Sequence, residues 1–493
     1  MSDFSEIKNH ENPPTYKLLI NGSWVDSKNP EKIEVKSPID GSVMGFISSA
    51  TQEEINIAIT SAYEAQKTWR KLPLYQRVDL IIAAADLLKK HAKLLVELLV
   101  AEIGKPQKEA REEIERTVDL MKYYAEEGRR ITGEYLESDA FPNTPKNKKA
   151  IIERVPLGVV LTIPPFNFPI NETAPKIVSA LVTGNTVVLK PPTQGAITNL
   201  YFAEIFREAG IPKGVISAVT GRGSEIGDFL VSHELISAIN FTGSYETAKK
   251  ITETAGVKKL IFGLSGKDAS FVLEEADLDL AASEIASGGF GYGGQRCTGI
   301  KRVFVVEEKS GEFVEKLMAA VSKKFILGDP RDEKTTLGPV INDVTANYVE
   351  ELIIDAKNQG ASVVMGGKRE GRYIEATILD NVTTKMRISW EEPFGPVLPI
   401  IHVKDHNEAL EIANQSEYGL QSSIFTKDID LAFSIAEELE VGTIQVNGKD
   451  SRGPDHFPFL GIKHSGLGMV QGAKYLLSEM TRIKTLVLNT HER

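Results

Sequence analysis

Apolar and polar positions along the chain change period several times, and those changes predict the elements. Thr51-Gln52-Glu53-Glu54 has the spacing of a capping box, in which the threonine side chain and the glutamate three residues on satisfy each other's backbone N–H. It predicts a helix running through Ala58, Ala62 and Ala65. From Leu74 to Ile103 apolar residues recur at helical spacing until Gly104 and Pro106 stop the pattern. A further helix is predicted from about Glu109 to Arg130.

Between Val159 and Phe262 the pattern shifts to short, fully apolar runs separated by amphipathic stretches. The predicted strands are 159–163, 186–189, 215–219 and 236–240, and the predicted helices are 172–182, 197–209 and 225–231. Short apolar strands with crossover helices imply a parallel sheet covered on both faces. A second series runs from about Val272 to Val446, with a helix after Asp277, a helix at 346–357, and strands at 362–365 and 397–403. Segments 148–155 and 483–488 alternate as strands outside both series. The expected fold is therefore α/β: two open domains with mainly parallel sheets, plus a small β segment. In such sheets ligands bind at the carboxyl ends of the strands.

Composition narrows the function classes. The chain has 493 residues, 42% of them hydrophobic and 25% charged, enough for more than one core. A net charge of −11 argues against sequence-independent nucleic-acid binding, which needs a positive surface. No apolar run reaches membrane-spanning length, and the polar stretch Met1–Pro14 lacks the apolar core of a signal peptide. The cytoplasm is the expected location.

Cys297 is the single cysteine, so it has no partner for an intrachain disulfide or a Cys-rich metal site. It sits in Gly293-Gly294-Gln295-Arg296-Cys297-Thr298, beside a cation and among small residues. A thiol there reads as a nucleophile, against the alternative of a small packed residue. Gly221-Arg222-Gly223-Ser224-Glu225-Ile226-Gly227 misses the dinucleotide fingerprint by one residue but still offers backbone N–H groups at a helix start. Ser244 is placed either to cap the next helix or to donate to a phosphate there. Lys190 lies at the carboxyl end of a predicted strand, where a cofactor would lie.

Six motifs occur together: Pro165-Phe166-Asn167-Phe168-Pro169, Leu189-Lys190-Pro191-Pro192, Phe241-Thr242-Gly243-Ser244, Gly294-Gln295-Arg296-Cys297, Glu392-Pro393-Phe394-Gly395-Pro396 and Pro458-Phe459-Leu460-Gly461. In order and spacing they resemble the aldehyde dehydrogenase superfamily over nearly the whole chain, from about Tyr16 to Val487. Within it the likeness is greatest to the non-phosphorylating glyceraldehyde-3-phosphate dehydrogenases. The resemblance implies residues 1–130 and 154–265 as a cofactor-binding domain and 266–465 as a catalytic domain. It assigns 131–153 and 466–493 to bridging and oligomerisation, with a homotetramer as the usual assembly.

It also implies roles. Cys297 attacks the aldehyde carbon and carries a thioester, with Asn167 and the Cys297 backbone N–H holding the oxyanion. Lys190, Thr193, Gly223, Thr242, Gly243, Ser244, Glu392 and Phe394 form the cofactor site. NADP is the expected cofactor and NAD the alternative, because the neutral Thr193 stands where NAD-preferring members carry an acid. Arg116, Arg296 and Arg452 would bind a phosphorylated aldehyde, with Phe168 replacing a tyrosine of the resembling family. The implied reaction is oxidation of glyceraldehyde 3-phosphate to 3-phosphoglycerate without inorganic phosphate. Alternatives are another aldehyde or semialdehyde, or cofactor binding with little turnover.

One departure stands out. Members of the superfamily usually carry Glu-Leu-Gly-Gly, whose glutamate activates water for thioester hydrolysis, whereas this chain has Gly263-Leu264-Ser265-Gly266. A serine is a poor base near neutrality, so deacylation is expected to be slow unless another group serves. Three alternatives follow: a chain altered to trap the acyl-enzyme, one that uses another group or another acyl acceptor such as coenzyme A, or an enzyme kept for a different purpose.

Overall fold

The computed structural model describes residues 4–469 and 471–490, so the first three residues of the polar N-terminal stretch lie outside the described residues. Thr51 forms the predicted capping box, accepting from the Glu54 N–H while the Glu54 carboxylate accepts from the Thr51 N–H, and the helix runs Gln52–Trp69. The long helical pattern after Leu74 is two helices, Leu74–Lys90 and Ala92–Ile103, broken at His91, whose ψ of 10° leaves the helical region. Apolar spacing does not register this break because Leu88 and Leu95 on either side face the same core. Gly104 ends the second helix in the left-handed conformation, as the sequence predicts.

Three principal sheets organise the chain. The first has eight strands in the order 466–467, 259–263, 236–242, 159–163, 186–189, 216–218, 18–20 and 23–25. Its five central strands are parallel, while the outer pairs are antiparallel. Alternate residues feed opposite faces: Val160, Val187, Ala238 and Ile261 enter one core, and Leu161, Val188, Ile239 and Phe262 the other. Because both faces are buried, these strands are apolar runs without hydrophobic–polar alternation.

The second sheet has seven strands, 362–365, 377–380, 397–403, 302–306, 269–272, 421–425 and 443–446, parallel throughout except for the first pair. The third joins Thr481–Asn489, Lys148–Pro156 and Glu134–Glu137 in antiparallel register. It stands apart from both large sheets and leaves Tyr135, Leu136, Ile483 and Leu486 exposed. The chain thus has the architecture expected from its sequence: two mainly parallel α/β units and a separate small β-sheet.

Candidate active site

Loops from the two large sheets meet around one cleft of about 1270 Å³. The first sheet contributes residues just past its strands: Pro164–Phe168 after 159–163, Lys190 after 186–189, Gly243 and Ser244 after 236–242, and Leu264 and Ser265 after 259–263. This is where ligands of open parallel sheets bind, because helix N-termini converge there. The second unit contributes Arg296, Cys297, Glu392, Phe394, Lys449 and Arg452.

Cys297 is half-buried in a loop that approaches the segment 392–396 very closely. A Cβ at Gly294 (φ +68°) would lie 2.2 Å from the Gly395 carbonyl oxygen, so only glycine lets the two loops meet. Lys301 Nζ donates to the Cys297 carbonyl at 2.5 Å and pairs with Glu392 Oε1 at 3.1 Å. Burial pushes the Cys297 thiol up to about 11; the Lys301 charge opposes this, while Glu392 and Asp268 reinforce it. The neighbouring arginine therefore does not by itself make a thiolate, contrary to the simplest reading of the sequence.

Asn167 is buried, and its Nδ2 donates to the Gln295 carbonyl at 2.8 Å, tying the loop after strand 159–163 to the cysteine loop. Its own carbonyl accepts from Lys105 Nζ at 2.8 Å. Lys105 is fully buried, ion-paired with Glu113, and lies 3.7 Å from the centre of the Phe168 ring. Glu113 also accepts the N–H groups of Ile170 and Asn171, each at 3.0 Å. Sequence reasoning passed over this pair, since Gly104-Lys105-Pro106 reads only as a helix stop and Glu113 as one of several helix acids.

The three arginines converge on the cleft beside Cys297, each in a different state. Arg452 is ion-paired with Glu172 and donates to Asn171 Oδ1, and burial lowers it to about 10. Arg116 grips Asp455 with two bonds, at 2.6 and 2.7 Å, and donates to the Arg452 carbonyl. Arg296 donates to the Asp450 carbonyl at 3.3 Å and the Thr298 hydroxyl at 3.4 Å, with Glu109 the main negative charge acting on it. An incoming anion therefore meets two arginines ion-paired with carboxylates and one whose hydrogen bonds go to neutral oxygens, with the Glu109 charge also acting on it. Phe168 lies between Lys105 and Arg452, with the Arg452 guanidinium 5.9 Å from its ring centre.

At the other end, Lys190 is almost fully buried, donates to the Pro191 carbonyl at 3.1 Å, and is lowered by burial to about 8. Gly223 opens the helix Gly223–Ser232, and a Cβ at either Gly223 or Gly227 would meet open space, so both glycines leave the cleft wall clear. Ser244 is the cap of the helix Tyr245–Ala255, accepting from the Thr247 N–H, and its side also lines the cleft. Thr242 and Gly243 line it as well. Thr193 is half-buried beside Pro192 and lies outside the wall formed by Lys190 and Pro192. Phe394, at φ +45°, meets Phe166 edge to face across the cleft at 5.8 Å.

Gly263 is buried as the last residue of its strand, paired in register with Thr242 and Gly466, and the cleft wall there is Leu264 and Ser265. Lys176, fully buried on the helix Thr173–Val182, donates to Asn240 Oδ1 at 3.0 Å and Thr242 Oγ1 at 2.7 Å. Burial lowers it to about 7, an effect that the charge of Cys297 opposes.

The family model described as the aldehyde dehydrogenase family matches residues 24–486. The NADP-dependent glyceraldehyde-3-phosphate dehydrogenase of Streptococcus equinus is 48% identical over 474 residues, covering 96% of this chain and 98% of that protein. The enzyme of the same name from Pisum sativum is 46% identical over 476 residues, covering 96% and 95%. The crystal structure of the Bacillus halodurans C-125 NADP-dependent glyceraldehyde-3-phosphate dehydrogenase, complexed with NADP, superposes with a TM-score of 0.94 at 49% identity, covering 96% of this chain and 99% of that one. With a matching model over almost its whole length and a cleft lined by residues of five of the six motifs, this chain belongs to the aldehyde dehydrogenase family.

Proposed function

We propose that the protein oxidises glyceraldehyde 3-phosphate to 3-phosphoglycerate with NADP through a thioester on Cys297, using no inorganic phosphate. The observation that carries this reading is a single cleft lined at once by the lone thiol, three arginines and the open helix N-termini of the first sheet. The names of the Streptococcus equinus and Pisum sativum relatives support it, as does the NADP in the Bacillus halodurans structure.

The donor set suits a dinucleotide. Gly223 and Gly227 leave room at a helix N-terminus where backbone N–H groups favour phosphate, and Lys190 adds an amine with one neutral acceptor. Lys190 would hold the adenosine ribose, with Ser244 and Gly243 beside the pyrophosphate. Thr193, neutral and near Lys190, leaves a 2′-phosphate unopposed by an acid. Among the described residues the bonds of Glu392 fall on Oε1, which leaves Oε2 to accept from the nicotinamide ribose. NADP, when bound, supplies the hydride acceptor.

The chain's own residues do the rest. The Cys297 sulfur, as thiolate after loss of its proton, bonds the aldehyde carbon while the carbonyl electron pair moves onto oxygen. Loss of hydride from that carbon leaves the thioester, which water cleaves to the carboxylate and the free thiol. One N–H of the Asn167 amide is held by Gln295, which fixes the amide plane and leaves its second N–H for the oxyanion. The phosphate is drawn to Arg296, displacing weaker neutral partners, while Arg116 and Arg452 stand behind it. Gly263 contributes no base, so release of the acyl group lags behind its formation.

Rapid mixing of the aldehyde and NADP in phosphate-free buffer should give a burst of NADPH stoichiometric with sites, followed by slow turnover. Absence of any NADPH would overturn the substrate reading, and a linear trace from the start would overturn slow deacylation. Asn167→Ala should slow the burst about 10²–10³-fold, equivalent to about 2.7–4 kcal/mol, with NADP affinity unchanged in a binding titration.

The same reading makes residues 1–130 and 154–265 the cofactor unit, 266–465 the catalytic unit, and 131–153 and 466–493 the bridging segments. The exposed apolar side chains of the third sheet support assembly with further copies of the chain as a homotetramer. No described helix is long and apolar enough to cross a membrane, and a cytoplasmic location completes the reading.

A further inference from the structure

Lys301 lies four residues after Cys297, in the turn that enters the strand Arg302–Val306, and it is buried. Its ammonium touches two functional parts at once. Nζ donates to the Cys297 carbonyl at 2.5 Å, and it pairs at 3.1 Å with Glu392 Oε1, which in turn accepts the Gly266 N–H at 3.2 Å. Its backbone N–H donates to the Asp268 carbonyl at 2.9 Å. Gly266 is the point where these groups crowd together. A Cβ there would fall 2.6 Å from Asp268 Oδ1 and 3.1 Å from the Cys297 carbonyl oxygen.

We propose that Lys301 is a positioning residue of the oxidative half-reaction, fixing the Cys297 backbone against the Glu392 carboxylate and placing a positive charge beside the cysteine. The cofactor side of this proposal rests on the reading given above for Glu392; the thiol side does not. A buried ammonium is retained only where acids answer it. Here Glu392 and Asp268 hold Lys301 protonated against the cost of burial. Asp450 faces the same cluster, Arg296 adds positive charge, Lys267 is held towards its neutral form by burial, and Lys176 approaches Cys297 from the helix Thr173–Val182. Among all these, Lys301 is the largest influence favouring the Cys297 thiolate. Held by its own carbonyl, Cys297 has a fixed backbone and therefore a fixed Cα–Cβ direction, from which the sulfur has only its staggered rotamers. The carboxylate meant for the cofactor is held by the same ammonium, so one side chain sets the distance between nucleophile and cofactor seat.

The test follows the rate of alkylation of Cys297, the only thiol, by iodoacetamide against pH in the cofactor-free protein, together with NADP affinity by titration. In Lys301→Met the alkylation midpoint should rise by about one pH unit, so the rate at a fixed pH below the midpoint falls about tenfold. NADP should bind roughly tenfold more weakly, an order of magnitude taken for one lost charge-assisted contact. Lys301→Arg keeps the charge and should restore the midpoint. Lys301→Gln keeps a donor for the Cys297 carbonyl without the charge and should show the same rise, which serves if the methionine variant does not fold. A neutral variant that unfolds cooperatively yet alkylates with the wild-type profile overturns the proposal, and so does an equal rise in Lys301→Arg. Failure of the wild-type protein to bind NADP would instead overturn the function reading and leave the alkylation result standing.

Discussion

Replacing Gly263 by glutamate is expected to turn a burst followed by slow turnover into steady NADPH formation, with the steady-state rate rising about 10²–10⁴-fold. The reason lies in the strand. Phe262 faces the core that includes Phe241 and Ile251, so the next residue faces the opposite side, shared with Ile261. Gly263 pairs in register with Thr242, and Thr242 meets Lys176 on that side. A carboxylate introduced at 263 therefore arrives beside an ammonium that burial lowers to about 7 and whose existing acid, Glu172, stands 3.9 Å away. That cation would keep the new carboxylate ionised, the form a base needs. Stopped-flow traces under the burst conditions decide the matter: an unchanged slow phase would mean that water is already activated by another group. Ser265→Gly alone restores no carboxylate and should leave the slow phase as it was.

Much of this arrangement was legible in the sequence, for physical reasons that differ between elements. The central strands of the first sheet are buried on both faces and stand out as apolar runs. The capping box at Thr51 announced its helix because the two reciprocal bonds need those residue types at that spacing. The break at His91 was invisible, since a one-residue kink preserves which side of the chain is apolar. Cys297, Asn167 and Glu392 could be named because they lie in motifs that loop geometry keeps short and contiguous. Lys105, Lys176 and Lys301 could not. Each is a lone lysine in sequence, and each acquires meaning only through partners that the fold brings to it: Glu113 and Asn167 for the first, Asn240 and Thr242 for the second, Glu392 for the third. The occupation of Arg116 by Asp455 and of Arg452 by Glu172 is likewise a tertiary fact, because charge counts along the chain do not say which acid meets which base.

The largest expected loss of stability comes from Lys105→Met. The lysine is fully buried, and its ammonium is the counter-charge of Glu113, a donor to the Asn167 carbonyl, and a cation 3.7 Å from the Phe168 ring centre and 4.4 Å from that of Tyr292. Removing it deprives a buried carboxylate of its ion-pair partner, a change that costs about 3–5 kcal/mol. Surface pairs such as Lys28 with Glu53 are worth at most about 1 kcal/mol, so deleting them gives the control. Burial lowers the Lys105 ammonium, and the pairing with Glu113, with Glu109 behind it, opposes that lowering. The decisive comparison is the double variant Lys105→Met/Glu113→Gln. Glutamine keeps an acceptor for the Ile170 and Asn171 N–H groups but carries no charge, so most of the lost stability should return. Denaturation midpoints of the two variants measure this directly, and equal destabilisation in both would show that packing of the lysine stem, and not its charge, holds the loop. The burst rate separates the roles further. If the Lys105 bond to the Asn167 carbonyl sets the oxyanion donor, the double variant regains stability while acylation stays slow, because the loop has recovered its fold without the donor that fixes the Asn167 backbone.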